Sequence, residues 1–200
     1  PATATAATGM DALIHGIESY ISIRNNPYSD GIALQSIEMV ATNIRNAIQD
    51  GSDIEARSQM LLASHIVGVG FSHTGLGLVH GIGHSLGGHF NIPHGVALCL
   101  VLEEVLRYNL AVAKERIARI AFALGVGDTS LSQDQNAQLA IQEIAQLVQD
   151  VGLEGKLSDF GVSEDDLVLL AQTALQDAVT INNPSTPSLD DVLGILGRTL

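Results

Sequence analysis

The chain has 200 residues, a formal net charge of -13 and a pI near 4.6, so nucleic acid and anionic membrane surfaces are poor partners for it. This length suits one ordinary domain with one core. Apolar residues make up 46% and mean hydropathy is +0.27, high for an acidic domain, which predicts some apolar surface covered by another domain or subunit.

The first predicted helix runs from about Gly9 to Ile23, with Thr8 as N-cap and Asn25-Asn26-Pro27 as the breaker. A second spans about Ser29 to Asp50 and stops at Gly51. The third opens on Ser52 and Glu55 in capping-box spacing and continues to about Val69. A glycine-bearing turn leads into a histidine-rich helix over Leu76 to Gly87, and Pro93 opens the next, Gly95 to Tyr108. Ala111 to Leu124 follows, with Lys114, Arg116 and Arg119 on its solvent face. After the loop Gly125 to Ser132 comes an amphipathic helix over 134 to 151. Ser163 with Asp166, and Ser188 with Asp191, open two more, joined by a polar linker from Asn182 to Pro187. No stretch reads as a strand, so the fold class is all-α with about nine helices.

No basic-then-apolar start resembles a signal peptide, and the apolar runs fall short of the ~20 residues that span a bilayer. The single Cys99 sits in the apolar run Val96 to Leu102, reads as a buried small hydrophobe and suits a reducing cytoplasm.

Four of the seven histidines, His80, His84, His89 and His94, fall within GLGLVHGIGHSLGGHFNIPHG. On a helix His80 and His84 share one face, and the turn at Pro93 can bring His94 back toward His80. Asp11 and His15, four apart in TGMDALIH, can ligate one ion from one face; Asp11 can equally complete a cap with Thr8, and His15 can serve packing. Together Asp11, His15, His80 and His94 form an N3O set suited to zinc or ferrous iron with a position left open. His65 reads as a core residue, and His73 and His89 as loop polars. The glycines match neither nucleotide-phosphate motif, and Ser72 and Ser85 lack a serine-nucleophile context.

TAATGMDALIHGIESY, NPYSDGIALQSI and FSHTGLGLVHGIGHSLGGHFNIPHG, in this order and spacing, resemble the C-terminal helical domain of iron-containing (group III) alcohol dehydrogenases. The resemblance spans essentially residues 1–200, although beyond Asn109 it rests on helix layout and the TINNPSTPSLDDVLGIL ending. It implies a fold of the dehydroquinate synthase-like type. It also implies Fe2+ ligands Asp11, His15, His80 and His94, and a place for His84 near substrate and nicotinamide. Ser85, His73 and His89 depart from the residues common there, which bears on substrate rather than metal.

The family's dinucleotide-binding domain, with its GGGS loop, is missing from these residues. The resemblance therefore implies that the chain binds metal alone but is inactive. NAD or NADP would come through that N-terminal domain, the substrate would be a small alcohol or aldehyde, and the complete enzyme would be a homo-oligomer. Two readings stand beside it: a zinc-dependent relative of the glycerol dehydrogenase type, and a non-catalytic helical interaction module with structural histidines.

Overall fold

The computed structural model describes residues 1–200. It contains eight α-helices and no strand: α1 (Ala2–Ile21), α2 (Pro27–Gln49), α3 (Ile54–Thr74), α4 (Leu78–Phe90), α5 (His94–Ala123), α6 (Gln133–Asp150), α7 (Leu167–Gln176) and α8 (Leu189–Thr199). Three short 3-10 turns lie between α6 and α8. The helices share one apolar core of 51 buried residues drawn from all eight, as the length predicts. No single helix is long and apolar enough to cross a membrane.

Several helix ends follow their capping chemistry. The Asn26 side chain accepts from the backbone N–H groups of Tyr28 and Ser29, with Pro27 inside the first turn, so α2 begins where the breaker ends. The capping boxes at Ser163–Asp166 and Ser188–Asp191 form as expected, the first opening a 3-10 turn that runs into α7. Other ends differ. Helix α1 starts seven residues earlier than predicted, because the alanine-rich start has high helix propensity and the Thr8 hydroxyl donates to the Ala4 carbonyl inside the helix instead of capping it. At α3 the Ser52 hydroxyl is taken by Asp50, and Asp53 is the cap, accepting from the N–H of Ala56.

The count of eight rather than nine arises in α5. The two helices expected over 95–108 and 111–124 are one continuous element of 30 residues, kinked at Ala113 (φ -118°, ψ 16°). Arg116 is not wholly on a wet face: it is half-buried, donates to the Tyr20 carbonyl, pairs with Asp30 and stacks over the Tyr20 ring, which ties α5 to α1 and α2. The expected polar linker is likewise buried at its start. Asn182 and Asn183 are covered, and Asn183 exchanges side-chain hydrogen bonds with the buried Asn109 of α5.

Two close approaches set the site. An added Cβ at Gly95 would lie 2.2 Å from the Ala7 carbonyl oxygen, so a glycine lets the start of α5 touch the α1 backbone one turn before Asp11. An added Cβ at Gly81 would meet Thr180 Oγ1 at 2.1 Å and the Ala174 carbonyl at 3.1 Å, which seats α4 directly on α7. Of the large apolar side chains left exposed, Ile54, Leu61, Leu62 and Val69 lie on α3, and the others are spread over the rest of the chain.

Candidate metal centre

Helix α1 is buried on all sides from Gly9 to Ile21 except at Asp11 and His15, which lie one turn apart on one face and are half-buried. His80 comes from the first turn of α4 and is 1% exposed, and His94 is the first residue of α5 after Pro93. These three helices bring four side chains to one point. Asp11 Oδ1 lies 3.4 Å from His15 Nε2, 3.4 Å from His80 Nε2 and 3.5 Å from His94 Nε2. Ligand atoms of Asp11, His15 and His80 all lie within 4.8 Å of one another; His94 joins this trio through Asp11 and, at 45% side-chain exposure, forms the open side.

The polar bookkeeping at this point is incomplete. Asp11 Oδ1 and His80 Nε2 are buried and have no hydrogen-bond partner, although they face each other. They are the only buried side-chain polar atoms in the chain left so, and each such orphan costs ~1–3 kcal/mol. A cation coordinated by both satisfies both, so the residues present fit a metal ion, and the N3O donor set fits a borderline one.

His80 is held from behind. Its Nδ1 lies 2.7 Å from Glu18 Oε2, and Glu18, itself 2% exposed, also accepts from the backbone N–H of Gly77 (3.0 Å) and Val79 (2.7 Å). A carboxylate only accepts, so Nδ1 carries the proton and the Nε2 lone pair is free to face Asp11 when the ring is neutral. Sequence reading did not single out Glu18. Its signal was present: it lies three and seven residues beyond His15 and Asp11, on the same face of an apolar helix.

The charges are tightly coupled. Burial pushes the Asp11 carboxyl up, but contacts with His80 and His94 outweigh it and hold the group far below the usual carboxylate range. Burial also opposes charge on His80, yet Asp11 and Glu18 raise it to about 9. Burial dominates at His15, which is lowered to about 4 despite Asp11. Its ring lies between Phe71 at 4.5 Å and, stacked, His80 at 4.7 Å.

His84 stands at the mouth rather than in the cluster. Its ring stacks against His94 (5.5 Å, 19°) and meets His80 edge-on (5.8 Å), while its Nδ1 lies 2.7 Å from Asp177 Oδ2. The remaining histidines lie apart from the cluster. His65 is exposed on the outside of α3 rather than in the core. His73 and His89 lie in the last turns of α3 and α4, not in loops; His73 meets the Tyr28 ring and His89 contacts Thr173. Cys99 is buried as expected, its thiol pushed up to about 12 mainly by burial.

Residues 5–200 match the family model described as Fe-containing alcohol dehydrogenase family, C-terminal. The chain is 45% identical over 184 residues to 1,3-propanediol dehydrogenase of Citrobacter freundii, covering 92% of this chain and 48% of that protein. It is 36% identical over 200 residues to NAD-dependent methanol dehydrogenase of Bacillus methanolicus, covering 100% of this chain and 52% of that protein. The crystal structure of a 1,3-propanediol oxidoreductase superposes with a TM-score of 0.98 at 41% identity, over 100% of this chain and 52% of that one. The chain thus spans about half the length of the curated relatives it matches. It belongs to the Fe-containing alcohol dehydrogenase family and corresponds to that family's C-terminal domain.

Proposed function

We propose that Asp11, His15, His80 and His94 hold one divalent cation, ferrous iron with zinc as the alternative. In this reading the chain is the metal-bearing half of a nicotinamide-dependent alcohol dehydrogenase. The observation that carries it is the pair of buried, partnerless atoms, Asp11 Oδ1 and His80 Nε2, 3.4 Å apart. A purely packing role for these histidines leaves the two atoms only a 3.4 Å contact without hydrogen-bond geometry, at a cost that apolar residues in their place would avoid.

Such a cation supplies Lewis acidity to an alcohol or carbonyl oxygen. The chain does the rest of the local work. Asp11 contributes the negative charge, and Glu18 fixes the His80 tautomer. His15, walled by Phe71, closes the buried side. Access is from the side of His84 and His94, where a small alcohol or aldehyde can lie beside the His84 ring, which orients it or passes its proton toward solvent.

The dinucleotide, NAD or NADP, is bound by the part of the protein corresponding to the other half of its relatives. This chain alone therefore binds metal without turnover. The names of the relatives, 1,3-propanediol and methanol dehydrogenases, favour short primary alcohols as substrates.

The test is nicotinamide-dependent oxidation of short alcohols by the complete protein. Activity that a chelator removes, that ferrous iron restores and that Asp11→Asn abolishes is the expected result. Turnover indifferent to chelator and to Asp11→Asn contradicts it.

A further inference from the structure

We propose that Asp177 is a positioning residue for His84, holding its ring as the Nδ1–H tautomer so that the Nε2 lone pair is presented at the mouth beside His94. This rests on the dehydrogenase reading above for its purpose, though not for its geometry.

Asp177 Oδ2 lies 2.7 Å from His84 Nδ1, and the other carboxylate oxygen accepts the Val179 N–H at 3.0 Å, so the group is fixed in a turn just beyond α7. No other carboxylate pairs with His84. Because an ionised carboxylate can only accept, the hydrogen must sit on Nδ1, and a neutral ring then keeps its lone pair on Nε2.

The platform beneath this contact is rigid. The Ser85 hydroxyl donates to the Leu170 carbonyl at 3.0 Å, and His89 meets Thr173 at 3.2 Å. The Thr180 hydroxyl donates to the Ala174 carbonyl at 2.7 Å, directly against Gly81. An exposed His–Asp pair is ordinarily worth little to stability. Here α4 and α7 are locked together on both sides of it, and the ring it aims stacks on His94 and abuts His80. Asp177 therefore fixes both the tautomer and the direction of the one histidine at the mouth that is not in the Asp11 cluster.

Asp177→Asn separates positioning from folding. Its side-chain oxygen can still accept from Val179, while its amide now donates to Nδ1 and drives the ring to the Nε2–H form. The readout is long-range 1H–15N correlation on the chain with 15N-labelled histidine at about pH 8.5, above the ordinary histidine range. His84→Gln identifies the His84 signals.

In wild type, Nδ1 should be pyrrole-type and Nε2 pyridine-type, and the pattern should invert in Asp177→Asn. An Nε2–H pattern in wild type, or no change in Asp177→Asn, overturns the proposal. In the complete metal-loaded protein, Asp177→Asn should keep the wild-type metal content and lower kcat about 10-fold or more, with partial rescue by Asp177→Glu. An unchanged kcat also overturns it. Wild-type protein that binds no metal would sink the dehydrogenase reading while leaving the tautomer result standing, so the two failures are distinguishable.

Discussion

Replacing Glu18 by glutamine tests how the buried site is held. The carboxylate accepts three hydrogen bonds at 2.7–3.0 Å, Oε2 from His80 Nδ1 and the Gly77 N–H, and Oε1 from the Val79 N–H. In Glu18→Gln one end of the group becomes a donor. An amide at the Oε2 end faces two donors; at the Oε1 end it faces one, so the less costly arrangement orphans the Val79 N–H, at ~1–3 kcal/mol. The two remaining bonds lose their charge, worth roughly 1 kcal/mol each. A total of about 3–5 kcal/mol corresponds to a melting temperature lower by roughly 6–20 °C in a chain of this size. Metal affinity, which depends on the His80 tautomer and ring direction, should fall ~10–100-fold. Thermal melts of the metal-free chain and competition titration against a chromogenic chelator measure the two effects. Wild-type affinity together with an unchanged melting temperature would refute the role assigned to Glu18.

Metal affinity should rise with pH, by up to about tenfold per unit between pH 7 and 9, because His80 carries a proton until about 9 that coordination must displace. Calorimetry in buffers of different ionisation enthalpy should show that proton released, and a flat affinity over this range would contradict the assignment. Without metal the chain should be most stable near the unperturbed histidine value. His15, lowered to about 4, takes up a proton only when unfolded as pH drops from 6.5 toward 4, so stability falls there by on the order of 3 kcal/mol. His80, raised to about 9, stabilises the fold below 6.5 and loses that contribution as pH rises toward 9. Denaturant midpoints across pH 4–9 check both limbs, and a monotonic profile would contradict the pair. Gly95→Ala should cost ~1–3 kcal/mol and also weaken metal binding, since its methyl would force α5 off Ala7 and His94 away from Asp11. Gly81→Ala should cost a similar amount by pushing α4 off α7 and, since His80 precedes it on α4, should weaken metal binding as well. Wild-type stability and metal affinity in either variant would argue against these close approaches.

Helix content and the caps at Ser163 and Ser188 were legible in the sequence because they are local, acting on neighbours within three residues. The misread ends are cases where a polar side chain had two local options. Thr8 bonds back into its own helix, and Ser52 yields the cap to Asp53. The continuity of α5 was not legible, since its kink lies beyond a buried Asn109 whose partner, Asn183, is 74 residues away. Asp11, His15, His80 and His94 were legible as two clusters of one donor chemistry, and the structure supplies their convergence. Glu18 was legible only as a carboxylate on the Asp11–His15 face, since the His80 it holds lies 62 residues away, and Asp177 was not legible at all, since His84 lies 93 residues away.

In the proposed site one carboxylate and three imidazoles from α1, α4 and α5 enclose a single cation. Equilibrium dialysis of the chain against ferrous iron or zinc under anaerobic conditions, followed by elemental analysis, addresses it most directly. About one ion per wild-type chain, lost in both Asp11→Asn and His80→Ala, is the predicted result. No stoichiometric metal in wild type, or full retention in both variants, would contradict it.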